Sequence, residues 1–299
     1  MAIVMTRDQQ PLYVRTIGTG QPVLMLPGLG MTSRQWLPFI VPYIGKFRFY
    51  MPDFRGFGQS AAIRFNQPDV FENHAQDVQD IIHQFNLEHL YLVGYSLGAS
   101  TALHLQSKPE FARVQRYLHI EQSPCVGNRA DWSYGLFGAQ QSQLFKAFEQ
   151  LLDVIAPYDG GLRLQQLPRT VRRAAVDSLG EIFEKMTSKP IIRHLFNWSA
   201  HWSLLMPHVI PLTRLEDIRL YLRAYMCGEH DYRLHLGQWQ IPTTVFIGMQ
   251  SPLYQACGQR VIAEKMYPSR VVEFNHSGHT PLLDEPVKFL REFGQFLNT

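Results

Sequence analysis

GYSLG at residues 94–98 decides the fold, because it fits the pattern G-x-S-x-G and lies between a strand-like and a helix-like run. The preceding residues 89–93 are apolar enough for a buried parallel strand, and residues 99–105 are typical of a helix. Such a sharp turn is a nucleophile elbow, and it exposes the serine hydroxyl above the sheet. Glycines on either side of the serine avoid collisions with the neighbouring strand and helix. The pattern predicts that Ser96 is a nucleophile.

Strand-like and helix-like runs alternate on both sides of this turn. The predicted strands lie at residues 11–16, 23–26, 46–51, 117–120, 243–248 and 270–274. Apolar residues at helical spacing predict one helix through residues 78–85 and a last helix that begins at Pro286. The alternation indicates an α/β fold with a mainly parallel sheet covered on both faces, and the weakly alternating run 11–16 predicts an antiparallel edge strand.

The strand rhythm stops in the middle third of the chain. Residues 145–155 instead carry a helical apolar stripe, and glycines and prolines interrupt the segment repeatedly. We therefore predict a core of residues 1–123 and 240–299 and a helical cap of residues 124–239. The cap is rich in large apolar side chains, of which most are expected to pack and a minority to line an apolar pocket: Trp132, Phe137, Phe196, Trp198, Trp202 and Met206.

Composition excludes several classes of protein. The 299 residues are 45% hydrophobic and 18% charged, with a formal net charge of +3 and no long basic run, so neither nucleic acid nor an anionic membrane surface is expected as the main partner. Cys125, Cys227 and Cys257 are an odd, widely spaced set that predicts reduced thiols. With no apparent signal peptide or membrane-length apolar run, a cytoplasmic protein is expected; the oligomeric state is not indicated.

Two further segments supply partners for a serine nucleophile. His279 lies in SGH at residues 277–279, after a strand and before a helix, which predicts that it is the general base above the carboxyl ends of the strands. His276 is interpreted as a surface or structural histidine. Backbone N–H groups can stabilise an oxyanion, and we assign this role to Leu97, after the serine, and to Leu29, in the glycine-rich turn LPGLG at residues 26–30.

Four motifs in order make the chain similar to the α/β-hydrolase superfamily, particularly its capped serine esterases and lipases: LPGLG at 26–30, DFRGFGQS at 53–60, GYSLG at 94–98 and SGHTP at 277–281. The resemblance covers about residues 11–123 and 240–297. It implies an eight-stranded, mostly parallel sheet and a triad of serine, acid and histidine. Neither a cofactor nor a metal is implied. Asp53 and Arg55 are expected to brace loops around the site.

The triad acid departs from the commonest pattern of this family. Most relatives have an aspartate after the strand that here covers residues 245–248, whereas this chain has Ser251 at that position. Glu121, directly after the strand that follows the elbow helix, is the best replacement, in an arrangement similar to that of some haloalkane dehalogenases. The alternative is that Glu121 merely ends a strand. Asp284 is expected to cap or flank the final helix, and the remaining candidates near the cap's end, Glu229 and Asp231, are less suitable.

These residues predict a serine hydrolase that cleaves carboxylic esters through an acyl-enzyme, with a small apolar substrate held under the cap. Halide and epoxide chemistry in this superfamily needs an aspartate nucleophile, so both are disfavoured. Thioesters, lactones, amides and carbon–carbon bonds remain open alternatives. Ser251, at the usual position of the acid, suggests one further alternative: a ligand-binding or receptor-like homologue with a weakened triad.

Overall fold

The computed structural model describes residues 2–187, 191–202, 206–227 and 229–299, so short parts of the segment 124–239 lie outside the described residues. The strands are β1 (Ala2–Met5), β2 (Pro11–Gly18), β3 (Gln21–Leu26), β4 (Phe47–Pro52), β5 (Leu90–Tyr95), β6 (Val114–Ile120), β7 (Thr243–Gly248) and β8 (Ser269–Phe274). The α-helices are α1 (Leu37–Ile40), α2 (Val70–Gln84), α3 (Leu97–Leu105), α4 (Gln141–Ile155), α5 (Arg169–Thr187), α6 (Ile191–Ser199), α7 (Met206–Val209), α8 (Leu215–Met226), α9 (Ala256–Lys265), α10 (Pro281–Asp284) and α11 (Pro286–Asn298).

Within the described residues the strands form one eight-stranded sheet with the order β1-β2-β4-β3-β5-β6-β7-β8. The two pairings that involve β2 are antiparallel, and all pairings from β4 to β8 are parallel. The central strands are apolar runs because both of their faces are covered: residues 23–26 of β3 are fully buried. The predicted α/β fold with a mostly parallel sheet is confirmed.

The prediction that residues 11–16 form an edge strand is wrong. β2 lies between β1 and β4, and the short strand β1 occupies the edge. A tight turn brings β1 back along β2, and Thr6 N–H donates to Gln10 C=O across it at 3.0 Å. β1 has four residues, of which only Val4 is buried, so its sequence shows too little alternation to indicate a strand.

Helices cover both faces of the sheet and form two hydrophobic cores. On one face, α1 and α11 pack together, and the rings of Phe39 and Phe289 meet edge to face with centroids 4.9 Å apart. α11 begins at Pro286, as predicted, and buries Phe293 and Leu297. On the other face, α2 and α3 share a core with the helices that precede β7. No helix in the described part of the chain has both the length and the apolarity needed to cross a bilayer.

Helices α4 to α8 connect β6 to β7 over the segment predicted as a cap. None of the described residues in this segment joins the eight-stranded sheet. Trp198 and Trp202 are 52% and 57% exposed, so they are not part of the buried core, and neither lines the cavity that contains Ser96. α6 turns the opposite side inwards, where Phe196 is buried against Phe183 of α5 with ring centroids 5.2 Å apart.

Glycine is required at the turn between β5 and α3 because strand β3 lies against it. A Cβ atom on Gly98 would be 2.3 Å from the carbonyl oxygen of Leu26, and one on Gly94 would be 2.7 Å from Cα of Ala99. These neighbours are backbone atoms, which cannot rotate away as a flexible side chain can. The sharp turn is therefore compatible with close packing only when both positions lack a side chain.

The substitution Gly98→Ala is expected to lower the free energy of unfolding by about 1–3 kcal/mol or more, because it overpacks the contact between α3 and β3. Urea unfolding monitored by circular dichroism measures this change. Gly45→Ala is the matched control: a Cβ there meets nothing within 4 Å, and its effect should stay within about 0.5 kcal/mol. Equal stability of both variants would contradict the close approach.

Candidate active site

Ser96 occupies the turn between β5 and α3. Its N–H donates to the carbonyl of Ile120 in β6 at 2.9 Å, and its carbonyl accepts from the N–H groups of Ala99 and Ser100 at 2.8 and 3.0 Å. Its φ of 52° lies in the left-handed region, which a non-glycine residue adopts mainly where the surrounding structure forces it. The side chain lines a cavity. The backbone is therefore fixed at both ends, and the hydroxyl faces the space where a ligand would bind.

His279 lies in the loop between β8 and α10, where its imidazole reaches the serine. Nε2 is 2.9 Å from Oγ of Ser96. The ring stacks on Tyr95 with centroids 5.5 Å apart, and the Tyr95 hydroxyl donates to the carbonyl of His279 at 3.0 Å. Burial raises the pKa of Tyr95, so its hydroxyl remains a donor at neutral pH. Tyr95 thus holds both the ring and the backbone of His279.

The loop that carries His279 is also held by a carboxylate. Oδ2 of Asp284 accepts from Gly278 N–H at 3.2 Å and from the Thr280 hydroxyl at 2.9 Å. The sequence interpretation placed Asp284 beside the final helix, and it does end α10 just before α11. Its contacts, however, are with the residues on either side of His279, so it braces this loop.

Glu121 completes a hydrogen-bonded chain. It follows β6 directly, and its N–H donates to the carbonyl of Phe246 in β7 at 3.1 Å. The side chain is fully buried. Oε2 is 3.2 Å from Nδ1 of His279, and Oε1 accepts from Gly248 N–H and from Nε2 of Gln259, the latter at 3.0 Å. An imidazole with a carboxylate on Nδ1 and a hydroxyl on Nε2 is arranged for general base catalysis.

The other positions considered for the triad acid supply no carboxylate to His279. Oγ of Ser251 is buried and has no hydrogen-bond partner among the described residues. Asp231 pairs with Arg233 at 2.7 Å, and Glu229 is exposed. In the described part of the chain, Glu121 is the one carboxylate hydrogen-bonded to His279.

Leu29 and Leu97 are placed where the sequence puts the oxyanion donors. Leu97 begins α3, and Leu29 lines the same cavity as Ser96. The loop after β3 approaches the elbow so closely that a Cβ on Gly28 would be 3.4 Å from Cβ of Ser96. Neither N–H has a hydrogen-bond acceptor among the described residues, so both are available as donors. Their role in an oxyanion hole stays a prediction.

A largely apolar cavity opens at Ser96, with about 580 Å³ of non-atom space that includes open solvent. None of the described lining residues is charged, and polar character comes from Ser96 and three tyrosines. The lining comprises Leu29, Ser96, Leu136, Phe137, Leu144, Phe148, Leu179, Ile182, Phe183, Met186, Leu212, Ile218, Tyr221, Leu222, Tyr225, Leu253 and Tyr254. Most come from α4, α5 and α8 and from loops beside the elbow, so the segment predicted as a cap supplies most of the wall.

Two residues of the turn after β4 hold loops, as their position suggested. Asp53 accepts from the N–H groups of Ser33 and Gln59 at 2.6 and 2.8 Å. Arg55 is buried between Asp8 and Asp77, with its closest oxygens at 2.7 and 2.6 Å. These contacts connect the turn to the β1–β2 turn, α2 and the loop after β3 and do not involve Ser96.

Sequence reasoning missed Tyr95 and Gln259. Tyr95 is the first of the two variable residues of G-x-S-x-G, and an aromatic ring next to Ser96 is a weak sequence signal. Gln259 lies in α9, far from every motif, and no sequence signal pointed to it.

Comparison with known proteins agrees with this fold. Residues 21–149 match the family model for the α/β-hydrolase fold. The chain has the α/β-hydrolase fold. It is 24% identical to the AB hydrolase superfamily protein YisY of Bacillus subtilis, with 99% of this chain and 98% of the relative covered. It is 26% identical to a pimeloyl-[acyl-carrier protein] methyl ester esterase of Chromobacterium violaceum, with 96% and 98% covered.

A solved esterase from Exiguobacterium antarcticum shares the α/β-hydrolase fold, with a TM-score of 0.74, 20% identity, and coverage of 100% of this chain and 99% of that one. The family and its esterase relatives support hydrolase activity for this α/β-hydrolase. The serine, the histidine and the acid of its site remain proposals.

Glu121→Gln is expected to lower kcat by roughly 10⁴-fold with the fold intact, because an amide cannot stabilise the imidazolium and favours the wrong tautomer of His279. Ser251→Ala, which changes the position where most relatives carry the acid, should retain nearly full activity. Steady-state kinetics on a chromogenic ester measures both. A loss below tenfold in Glu121→Gln would remove Glu121 from the mechanism.

Proposed function

We propose that this α/β-hydrolase is a serine esterase that cleaves carboxylic esters with an apolar group through an acyl-enzyme. The observation that carries the proposal is the chain of hydrogen bonds from Ser96 Oγ through His279 to Glu121, at the wall of an uncharged cavity. Esterase relatives that are covered over nearly their full length support the same reaction class.

The proposed reaction uses His279 twice. Nε2 takes the proton from Ser96 Oγ as the oxygen attacks the ester carbonyl, and the oxyanion accepts hydrogen bonds from the N–H groups of Leu29 and Leu97. The imidazolium then gives its proton to the departing alcohol, which leaves an acyl group on Ser96. Water attacks this acyl-enzyme with the same base and releases the acid. Glu121 keeps Nδ1–H oriented throughout and stabilises the positive charge.

The cavity favours an apolar, uncharged acyl or alcohol group. A charged group entering it would lose its hydration without a counter-charge among the described lining residues, which is costly in an apolar site. The relative from Chromobacterium violaceum is named a methyl ester esterase, which fits this reaction class. Ester hydrolysis is therefore preferred here over thioester, lactone, amide or carbon–carbon cleavage. The contact between Glu121 and His279 argues against a binding protein with a weakened triad, since the acid is supplied from another strand.

Hydrolysis of p-nitrophenyl esters tests the reaction class. kcat/KM should rise with acyl length by up to about fourfold per methylene until the cavity is full, because each buried methylene contributes about 0.8 kcal/mol. A fluorophosphonate should label Ser96, as read by peptide mass spectrometry, and Ser96→Ala should show neither label nor turnover. A wild-type chain with no burst and no label would support the receptor-like alternative instead.

Leu179→Trp is expected to shift the preference towards shorter acyl chains, because Leu179 is a buried part of the cavity wall and a larger side chain reduces the space. The ratio of kcat/KM for a medium-chain ester to that for the acetate measures the shift. Leu234→Trp, at a position 85% exposed and outside the lining, is the control and should leave this ratio unchanged. An unchanged ratio in a folded Leu179→Trp variant would show that substrate binds elsewhere.

A further inference from the structure

Gln259 is fully buried in α9, and its amide group lies against the carboxylate of Glu121. Nε2 donates to Oε1 of Glu121 at 3.0 Å and to the carbonyl of Tyr254 at 3.1 Å. A side-chain amide has two N–H donors, and both are used. Gln259 is not among the residues that line the cavity, so it does not contact a ligand there.

The orientation of this amide follows from its neighbours. Both groups that face Nε2 are acceptors, a carboxylate and a backbone carbonyl, so the opposite orientation would set the amide oxygen against two oxygens. In the observed orientation, Oε1 of Gln259 is buried without a partner among the described residues. A buried unsatisfied acceptor is unfavourable, and a native protein generally has a reason to retain one. Here the reason is the hydrogen bond to Glu121.

Glu121 needs such a contact because of where it lies. The commonest acid of the superfamily would come from the loop after β7, but this carboxylate comes from β6, from a residue with φ of 53°. Its longer side chain has more rotatable bonds than an aspartate has. Gly248 N–H and Gln259 both bind Oε1, which leaves Oε2 directed at Nδ1 of His279.

We propose that Gln259 is a positioning residue for the proposed esterase reaction, fixing the rotamer of Glu121 so that Oε2 accepts the Nδ1 proton of His279. This inference rests on the proposed function. It assigns a role in catalysis to a residue of α9 that acts only through Glu121, and it predicts effects on kcat and on the pH profile that a merely space-filling glutamine would not produce.

Gln259→Met keeps the size of the side chain and removes both donors. We expect kcat for a p-nitrophenyl ester to fall about 10- to 100-fold, by analogy with the loss found when the hydrogen-bond partner of a metal-binding side chain is removed. KM should change less than twofold because the cavity is untouched. Gln106→Met is the matched control: Gln106 is also a buried glutamine with an unpartnered Oε1, and its Nε2 contacts Met266 rather than the site. It should keep wild-type kcat.

Gln259→Glu gives a test that depends on pH. Two adjacent buried carboxyl groups cannot both ionise readily, so the pair retains one proton over a range in which an isolated carboxyl would be charged. While it is protonated, the introduced carboxyl donates to Oε1 of Glu121 as the amide does. Once that proton leaves, the donor is lost and a second negative charge lies beside Glu121. We expect kcat relative to wild type to be close to one at low pH and to fall as pH rises.

The profiles of kcat against pH for the wild type, both Gln259 variants and the Gln106 control decide the proposal, with melting temperatures as a check on folding. A pH-dependent ratio in Gln259→Glu together with a kcat loss in Gln259→Met supports it. A folded Gln259→Met within twofold of wild type, or a Gln259→Glu profile parallel to the wild type, overturns it and leaves the esterase proposal intact. A wild type without turnover overturns both.

Discussion

The contact between the buried carboxylate of Glu121 and Nδ1 of His279 is the interaction on which the rest of the site depends. Without it, neither the tautomer of the His279 imidazole nor the orientation of Nε2 towards Ser96 would be defined. The contact is possible because the serine and the glutamate each lie one residue beyond neighbouring parallel strands. Their N–H groups continue the ladder into the next strand, to Ile120 and Phe246, and both residues have φ near +50°. The sheet thus sets the distance between the proposed nucleophile, Ser96, and the proposed acid, Glu121.

A carboxylate in a fully buried position is costly unless its charge is compensated. Glu121 receives three hydrogen bonds, from Gly248, Gln259 and His279, and none of these donors carries a permanent charge. The negative charge is therefore held by dipoles and is free to stabilise the imidazolium that the proposed reaction forms at His279. A lysine or arginine partner would compensate the carboxylate itself and reduce this effect. The burial of Glu121 and His279 increases it, because electrostatic interactions are screened less where water is scarce.

Much of this arrangement could be predicted from the sequence, since it depends on local pattern. Runs of a few residues encode the strand before Ser96, the helix after it and the position of His279 before the last helices. The structure has the strand and the helix within two residues of their predicted ends. The sequence favours Glu121 because Ser251 cannot act as an acid and because the resemblance to some haloalkane dehalogenases implies an acid after this strand. The ends of adjacent parallel strands also lie side by side, so a glutamate there can reach the histidine.

What the sequence did not predict depends on tertiary packing. Gln259 is distant from every motif, and its importance follows from the way α9 packs behind Glu121. The sequence assigns Asp284 to the final helix because spacing alone does not show that its carboxylate accepts a hydrogen bond from the loop of His279. The edge position of β1 was missed because four residues with one buried side chain give no periodic signal.

A crystal structure of the chain inhibited by a fluorophosphonate would show whether Ser96, His279 and Glu121 act together, because the adduct resembles the tetrahedral intermediate. We expect phosphorus bonded to Oγ of Ser96, a phosphoryl oxygen about 2.7–3.1 Å from the nitrogens of Leu29 and Leu97, and Nδ1 of His279 hydrogen-bonded to Glu121. An adduct on another residue, or a His279 ring turned from Glu121 towards the loop of Ser251, would contradict it.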